Sequence, residues 1–307
     1  MATTTIPPFD GGNPYDEDER YAANVTTIPI RTSQPRQIGD YTLFYPLSQT
    51  KASEVWAGVH PQHGDIAIKF ITAATAAQSP TTAKRLNSEI GMIRKLCHPN
   101  IVTIHDSDLW QGYRWLAMPL ARRGTLEDVI KQQPEGHRKV YQSWAALVAQ
   151  HIARALEYAH AHEIIHRDVK PQNILVEHVT NADVQLSDFG IAYQSGNERL
   201  TNHGEALGTP YYMSPEQCKG EELDVRTDVY SLGVVLYELL AQRLPFEGNM
   251  PLAVAHQHVN KPPPPLPPSV NPLLAKVVMT ALAKDRDWRY QSALDFAEAL
   301  MPFVEVR

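Results

Sequence analysis

The sequence predicts an α+β fold in which a strand-rich segment precedes a helical one. Three runs of strand type, Tyr41 to Leu47, Val55 to Val59 and Asp65 to Ile71, are separated by Ser, Gly, Pro and His residues that favour turns. Beyond Trp144 the apolar residues recur instead with helical spacing. Runs of strands followed by runs of helices are typical of the α+β class.

Composition narrows the class of protein. The 307 residues are enough for one large domain or two smaller ones, and a hydrophobic content of 43% is ordinary for a globular core. A net charge of -6 and a pI near 6.1 do not favour a nucleic-acid partner. Cys97 and Cys218 form neither a disulfide framework nor a zinc motif, so a cytoplasmic location is expected.

No membrane span or secretion signal is predicted. The longest apolar run, near Leu232, has about ten residues, whereas a membrane-spanning helix needs about 20. A basic segment followed by an apolar core does not open the chain, so secretion is not expected.

Residues 1–37 are predicted to be a disordered N-terminal tail, because they hold too few large apolar residues to offset the entropy of ordering. The tetrapeptide TTIP occurs in this tail at Thr4 to Pro7 and again at Thr26 to Pro29. The repeat is either a coincidence in a low-complexity segment or a regulatory site. In the second case, phosphorylated Thr26 or Thr27 would bind an arginine-lined phosphothreonine-reading domain.

The third strand presents a lysine beside a small residue. Side chains alternate along a strand, so Ala67 and Lys69 share the face opposite Ile66 and Ile68. This arrangement would suit a surface where Ala67 leaves room for a flat adenine ring and Lys69 reaches its phosphates, although a strand lysine taken alone is usually a solvated edge residue. A helix is predicted from about Thr82 to Leu96, with Glu89 at the margin of its apolar stripe as a half-buried carboxylate that needs a cation.

The helical part contains one strongly periodic helix and one fully apolar helix. The first carries an apolar stripe from Trp144 to Ala159, and the second extends from Asp228 to Leu240. Short apolar runs at Ile174 to Val176 and Val184 to Leu186 predict a small hairpin between them. Lys261 to Pro268 is proline-rich, which is typical either of a rigid loop between helices, the favoured interpretation, or of a PxxP ligand.

The stretch HRDVKPQN, His166 to Asn173, carries the chemistry together with Asp188-Phe189-Gly190. A carboxylate before an asparagine, with a second carboxylate on a later turn, suits a site that binds a divalent metal and phosphates while orienting a hydroxyl. Asp168 would accept the proton of that hydroxyl. Asn173 and Asp188 would hold Mg²⁺, which prefers oxygen ligands. Zinc binding by His160, His162 and His166 is disfavoured, since residues at i and i+2 face different sides of a helix.

From about Asp40 to Leu300 the chain resembles the eukaryotic-like (Hanks-type) serine/threonine protein kinases, most closely the bacterial members. The resemblance rests on motifs in the family order: IAIK at 66–69, HPNIV at 98–102, HRDVKPQN, DFG, GTPYYMSPE at 208–216 and AKDRDWRY at 283–290. It implies a bilobal kinase-like fold over residues 38–302. An N-lobe with an antiparallel sheet and one helix would occupy 38–118, a hinge 119–121 and a mostly helical C-lobe 122–302, leaving 303–307 as a C-terminal end.

The resemblance also assigns roles to individual residues. Lys69 would bind the nucleotide phosphates and pair with Glu89, Met118 would be the gatekeeper, and Lys170 would neutralise charge on the transferred phosphate. Residues implied in ATP binding are Ser48, Thr50, Ser53, Val55, Ala67, Lys69, Glu89, Met118, Pro119, Ala121, Leu175 and Asp188. Mg²⁺ is the implied metal, with Mn²⁺ as an alternative.

Further roles concern activation and substrate docking. Arg167 would bind a phosphate on the activation segment, with Thr201 preferred over Ser195 as its carrier. Thr209 would bond Asp168 and Lys170 and so favour serine and threonine over tyrosine. Glu216 would pair with Arg289. The implied substrates are proteins with Ser or Thr acceptors, and homodimerisation is left open.

The phosphate-binding loop departs from the family pattern. The frame that reads G-x-G-x-x-G-x-V in the family here places Ser48, Thr50 and Ser53 at the glycine positions, followed by Val55. Glycine reaches left-handed conformations freely, and a residue with a Cβ there costs roughly 1–2 kcal/mol. Weakened or regulated ATP binding is therefore expected, and phosphorylation of these hydroxyls would close the site.

Three functions follow from the sequence. An active serine/threonine kinase is favoured, because the charged residues that phosphoryl transfer needs are all present. A pseudokinase scaffold that binds nucleotide weakly is the alternative suggested by the altered loop. A small-molecule kinase is disfavoured, since such enzymes usually lack the S-P-E docking loop and its arginine.

Overall fold

The alternating residues of the first part of the chain form a six-stranded antiparallel sheet in the computed structural model. The structure describes residues 36–50, 53–71, 90–111, 113–132, 141–189 and 210–304. These residues form two compact units, a sheet unit over 36–122 and a helical unit over 123–304. The sheet has the order β1-β2-β3-β4-β6-β5, with β1 (Arg36–Ile38), β2 (Tyr41–Gln49), β3 (Ser53–His60), β4 (Gly64–Ile71), β5 (Asp106–Trp110) and β6 (Tyr113–Pro119).

One face of this sheet builds the core of the sheet unit. Aromatic and branched side chains from five of the strands pack together there: Ile38, Tyr41, Leu43, Trp56, Ile66, Ile68, Phe70, Trp115 and Ala117. Gly58 permits the close approach of β3 to β2, because a Cβ at this position would lie 2.5 Å from the carbonyl oxygen of Thr42. The predicted division of β4 into two faces is confirmed, since Ile66, Ile68 and Phe70 all belong to this core.

Two predicted boundaries in the sheet unit need correction. Arg36 and Gln37 pair with Leu43 and Thr42 in β1, so the predicted tail ends two residues too late. The predicted helix ends earlier than Leu96, because its described part is helical only through residue 93. Cys97, four residues after Ile93, is exposed, so the apolar stripe of the helix does not extend to it.

The helical unit begins with α1 (Leu126–Gln132) and α2 (Gln142–His160), followed by a hairpin of β7 (Ile174–His178) and β8 (Asp183–Leu186). Its remaining helices are α3 (Pro215–Lys219), α4 (Arg226–Ala241), α5 (Pro251–Asn260), α6 (Pro272–Ala281) and α7 (Ala293–Leu300). Short 3-10 helices cover Pro171–Asn173, Arg286–Trp288 and Met301–Phe303. The predicted hairpin is confirmed, with Ile174 opposite Leu186.

Helices α2 and α4 form the centre of this unit. α2 buries the predicted stripe and also the small residues beside it, such as Ala145 and Ala149, because α7, α4 and β8 contact it. α4 is buried on nearly every face, as its apolar sequence predicts. Within the described residues, no helix has the length and apolar content that crossing a membrane requires.

Candidate active site

The loop after α2 brings three predicted catalytic side chains together. The Nζ of Lys170 donates to Oδ2 of Asp168 over 2.7 Å. The Nδ2 of Asn173 donates to the same Oδ2 over 2.9 Å and to the main-chain oxygen of Asp168 over 2.8 Å. The Asp168 side chain is 40% exposed. It therefore stays accessible to a reactant although Lys170 and Asn173 both hydrogen-bond to it.

Asp228, which the sequence reasoning missed, fixes the backbone of this loop. Its carboxylate accepts the main-chain N–H groups of His166 and Arg167, each over 2.8 Å, and the Nε2 of His160 also lies 2.8 Å away. The residue is completely buried. Burial opposes its ionisation, but the hydrogen bond and charge of His160 and the main-chain N–H of His166 hold the pKa of Asp228 below its ordinary value.

This anchor stabilises a strained conformation. Arg167 has φ 66°, in the left-handed region that non-glycine residues rarely occupy. Its main-chain oxygen accepts the Nε2 of Gln217 from α3 over 2.7 Å, so both sides of the residue are fixed. A residue held in this region at a site of converging charges is the pattern expected where strain serves function.

The segment that carries Asp188 is bonded directly to the same loop. Ser187 donates its main-chain N–H and its hydroxyl to the main-chain oxygen of Asn173, over 2.8 and 3.0 Å. The Nε2 of His166 lies 2.8 Å from the oxygen of Ser187, and its ring packs on Phe189 with centroids 4.7 Å apart. His166 is fully buried. Asp188 has φ 63° and lies between the two anchored residues.

Asn173 and Asp188 fit a magnesium site. The Nδ2 of Asn173 is used by Asp168, which leaves its Oδ1 as the atom able to bind a metal. Among the described residues, no group of three His, Cys, Asp or Glu side chains is arranged to hold a metal ion. One amide and one carboxylate suit Mg²⁺, which usually keeps several waters and shares phosphate oxygens rather than entering an all-protein cage.

Four of the predicted nucleotide-binding residues of the sheet unit share one face. Lys69 pairs with Val55 on β3, and Ala67 pairs with Met118 on β6. Residues directly opposite in an antiparallel sheet point to the same side, so these four side chains line the face opposite the apolar core. Pro119 ends β6 opposite Ile66.

The two remaining nucleotide-binding predictions, Ala121 and Leu175, fall in different units. Ala121 follows β6 in the chain and is half-buried. Leu175 is half-buried in β7 of the helical unit, where it bridges Thr125.

The loop with serine and threonine at the glycine positions closes on itself. The main-chain N–H of Thr50 donates to the oxygen of Ser53 over 2.8 Å, and the Thr50 hydroxyl accepts the N–H of Ser53 over 3.0 Å. Neither Ser48 nor Thr50 is among the described residues with positive φ. The strain predicted for a Cβ in the left-handed region is therefore absent at these two positions in this conformation.

Glu216 and Arg289 form a buried bidentate ion pair. Arg289 donates from Nη1 and Nη2 to the two carboxylate oxygens of Glu216 over 2.7 and 2.8 Å, and Thr227 donates to Oε1 over 2.9 Å. The two side chains are 0% and 3% exposed. Burial opposes ionisation of Glu216, but the paired guanidinium outweighs it and keeps the pKa of the carboxyl below its ordinary value.

Several predicted residues lie outside the described ranges, namely Glu89, Gly190, Ser195, Thr201, Thr209 and the tail that holds Thr26 and Thr27. Asp228 was missed because an acid at the start of an apolar helix is common, since the helix dipole favours negative charge there. One signal could have revealed it: an acidic residue in a helix predicted to be buried on nearly every face requires partners inside the protein.

Together, an antiparallel sheet that carries Lys69 and a helical unit that carries Asp168, Asn173 and Asp188 define the protein kinase fold. The family model for the protein kinase domain matches residues 43–299, so the chain belongs to this family. It is similar to PknB of Mycolicibacterium smegmatis, a serine/threonine-protein kinase, with 38% identity over 78% of this chain and 39% of the relative. It is also similar to a probable serine/threonine-protein kinase of Streptomyces coelicolor, with 35% identity over 85% of this chain and 39% of that protein.

Further similarity is found to PknA of Mycobacterium tuberculosis, with 33% identity over 85% of this chain and 61% of the relative. The chain thus spans about two fifths of the length of the first two relatives. Among solved structures, a mutant form of the kinase domain of Mycobacterium tuberculosis PknI superposes with a TM-score of 0.68 at 26% identity, covering 87% of this chain and 97% of that one. The kinase resemblance found in the sequence is confirmed by these matches.

Proposed function

We propose that this chain is a serine/threonine protein kinase that transfers the γ-phosphate of ATP to Ser or Thr hydroxyls of proteins, itself included, in the cytoplasm. The observation that carries the proposal is the Asp168 carboxylate held by Lys170 and Asn173 at 2.7 and 2.9 Å. A carboxylate oriented from two sides is suited to accept a hydroxyl proton, and the lysine is suited to neutralise the charge of the phosphoryl group in transfer.

In this reaction the acceptor hydroxyl oxygen forms the new P–O bond, the bond between the γ-phosphorus and the β–γ bridging oxygen breaks, and the proton passes to Asp168. Bound Mg²⁺, or Mn²⁺ in its place, would neutralise negative charge on the phosphates. Asn173 and Asp188 would hold that metal through their side-chain oxygens. The chain's own contribution is to position these groups, since phosphoryl transfer depends mainly on orientation and electrostatics.

Binding of ATP is assigned to the face of the sheet unit opposite the core of Ile66, Ile68 and Phe70. Ala67 and Val55 would pack against the adenine, Met118 would limit its depth, and Lys69 would contact the phosphates with support from Glu89. The alignment of Val55, Ala67, Lys69 and Met118 at directly paired positions supports this assignment. Main-chain groups at Pro119 and Ala121 would recognise the adenine edge, where proline retains the carbonyl acceptor.

Activation by phosphorylation is assigned to Arg167. Its Nε is buried without a hydrogen-bond partner among the described residues, and a buried donor of a cationic group without a partner is costly, which favours binding of an anion. A phosphate on Thr201 would supply that anion, and Thr209 would complete the preference for aliphatic hydroxyls. The Glu216–Arg289 pair supports the docking segment that precedes α3.

The decisive experiment incubates the chain with radiolabelled ATP and Mg²⁺ and measures incorporated phosphate. Wild type should incorporate label, whereas Lys69→Met and Asp168→Asn should not. Lys276→Met is the matched control, because Lys276 is exposed on α6 and should leave incorporation unchanged. Loss of label in Thr201→Ala would support activation through Arg167, and full activity of that variant would contradict it.

A pseudokinase scaffold is the second candidate, and the phosphate-binding loop is the observation that favours it. The Thr50 hydroxyl is already bonded to Ser53 within the turn, so the loop lacks the bare glycine backbone that approaches phosphate closely. Measurable ATP binding without incorporation of label in the wild type would favour the scaffold over the enzyme.

The tail and oligomeric state complete the proposal. Phosphorylated Thr26 or Thr27 would bind a phosphothreonine-reading domain, and mass spectrometry after incubation with ATP should find phosphate on one of them. Light scattering before and after phosphorylation measures whether the kinase forms a homodimer.

A further inference from the structure

A column of aromatic rings lies at one edge of the sheet unit. The ring of Tyr41 is 4.4 Å from His60, His60 is 4.7 Å from His63, and His63 is 4.3 Å from His105, measured between centroids. The planes of His63 and His105 differ by 7°. We call His60, His63 and His105 the histidine column. Phosphoryl transfer as described above uses none of these three residues.

The column is bonded to the strand that leads into the predicted hinge. The main-chain N–H of His105 donates to the oxygen of Ala117 in β6 over 2.9 Å. The N–H of Leu120 donates to the oxygen of Asp65, immediately after the turn that holds His63, over 3.3 Å. Residues 117–120 are therefore held on both sides by segments that carry the histidines.

Protonation would act against this arrangement. The Nδ1 of His60 accepts the main-chain N–H of Gln62 over 3.2 Å, and a proton on that nitrogen would place two donors face to face. A charge on either ring of the His63–His105 pair also disfavours a second charge, because two like charges 4.3 Å apart repel. Burial, followed by the charges of His63 and His60, lowers the pKa of His105.

Other charged or titratable side chains lie on the segments that carry the histidine column. Asp40 precedes β2, and Tyr41 is the first residue of that strand. Asp65 follows the turn that holds His63, and Asp106, the first residue of β5, follows His105. A carboxylate close to a ring would favour its protonation, and Arg94, which lies 3.9 Å from Asp106, would offset part of such an effect. His63 is exposed, so protons reach the column directly from solvent.

We propose that the histidine column is a proton-sensitive switch, in which neutral rings stack and hold residues 117–120, and acidification opens the stack and weakens adenine binding. Histidine is suited to this role because its charge changes between pH 5 and 8. The link to adenine rests on the proposed function of Met118 and Pro119, but the coupled titration of the rings does not.

The first test follows the three histidine C2–H resonances and the Leu120 amide by NMR between pH 5 and 8, on the whole chain. The rings should titrate as a coupled set, and the Leu120 amide should shift over the same range. In His63→Gln, the Leu120 shift should shrink by at least half. Independent titration of the rings as isolated histidines, with a Leu120 amide indifferent to them, would overturn the switch.

The second test measures affinity for adenosine, which has no phosphate to titrate. Wild-type affinity should fall roughly fivefold between pH 7.5 and 5.5, the lower end of usual couplings between sites. His63→Gln should reduce this dependence to less than about twofold. The control is His256→Gln, an exposed histidine of α5 in the helical unit, which should keep the wild-type dependence.

The two readouts separate this inference from the proposed function. Identical pH dependence in wild type and His63→Gln would refute the coupling to adenine. Absence of adenosine and ATP binding at every pH, combined with coupled ring titration and a moving Leu120 amide, would refute nucleotide binding while supporting the switch within the sheet.

Discussion

Asp228 fixes the backbone of the candidate catalytic loop. Its carboxylate accepts two main-chain N–H groups that would otherwise be buried without partners, and one belongs to the strained Arg167. A buried carboxylate can hold such a backbone because it only accepts hydrogen bonds. A neutral amide of the same shape presents a donor to at least one of these N–H groups.

Asp228→Asn should therefore lower both stability and activity. Leaving a buried N–H unpartnered costs about 1–3 kcal/mol, which should appear in urea unfolding followed by circular dichroism. Phosphate incorporation should fall at least about tenfold, because a misplacement of Asp168 worth 1.4 kcal/mol has that effect on rate. Asp108→Asn changes an exposed carboxylate of β5 and should alter neither quantity. Wild-type activity in Asp228→Asn would contradict the role of this anchor.

Glu216 and Arg289 should behave differently from an ion pair at the surface. Glu216→Gln leaves a guanidinium uncompensated in a site with no solvent, and breaking such a pair typically costs about 3–5 kcal/mol. Asp287 is paired with Arg226 over 2.7 Å but is 78% exposed. Asp287→Ala should consequently cost less than about 1 kcal/mol. Equal losses in the two variants, measured by urea unfolding, would show that burial does not decide the strength of these pairs.

At the residue scale, sequence reasoning identified groups that form a recognisable motif but missed one that supports them. Asp168, Lys170 and Asn173 are close in the chain, so their meeting follows from a short loop. Asp228 is 60 residues beyond Asp168 in sequence number, and its contact with His166 arises only when α4 packs beneath the loop. A pairing over that distance has no periodic signature.

The turn between β2 and β3, which is proposed to bind phosphate, allows a test at the scale of one element. Ser48→Gly, Thr50→Gly and Ser53→Gly combined should tighten Mg²⁺–ATP binding by up to about tenfold, which corresponds to 1.4 kcal/mol. The reason is that glycine backbone approaches phosphate more closely. Isothermal titration calorimetry measures the change. Ser107→Gly, in β5, is the control and should leave affinity unchanged. Weaker binding in the triple variant would indicate that the Thr50–Ser53 hydrogen bonds shape the site.

Elements with strong patterns were predicted best. The strands β2, β3 and β4, the amphipathic α2 and the apolar α4 appear in the structure near their predicted bounds. The three-residue β1 was missed, because its stability comes from pairing with β2 rather than from its own sequence. The seven-residue α1 was not predicted either, since a helix this short depends on tertiary contacts.

At the scale of the whole molecule, buried titratable groups in the helical unit make stability depend on pH. His258 is completely buried in α5, bonded to the Tyr230 hydroxyl over 3.0 Å, and the Nζ of Lys284 donates to its main-chain oxygen over 2.7 Å. Burial and then the charge of Lys284 lower the pKa of His258 to about 3. Burial and then Arg289 lower the pKa of Lys284 to about 8.

Both lowered pKa values make the stability of the folded protein rise with pH, each over its own pH range. Between pH 3 and its ordinary pKa of 6.5, His258 is protonated in the unfolded chain but not in the folded protein. The unfolded state therefore binds more protons, and stability rises with pH across this window. Lys284 behaves likewise between pH 8 and 10.5. Below the ordinary carboxyl range, Asp228 and Glu216 add a further loss, because their pKa values are lowered in the folded state.

His258→Gln should flatten the pH dependence of stability. In the wild type, the free energy of unfolding should fall by about 2 kcal/mol from pH 7 to pH 5 through this one ring, because each pH unit below 6.5 contributes about 1.4 kcal/mol. The variant loses that contribution whatever its stability at pH 7, so the slope is the quantity to compare. Urea unfolding monitored at 222 nm reports mainly on the helical unit. His256→Gln makes the same substitution at an exposed position of the same helix and should retain the wild-type slope; parallel profiles for wild type and His258→Gln would mean that His258 is protonated in the folded protein.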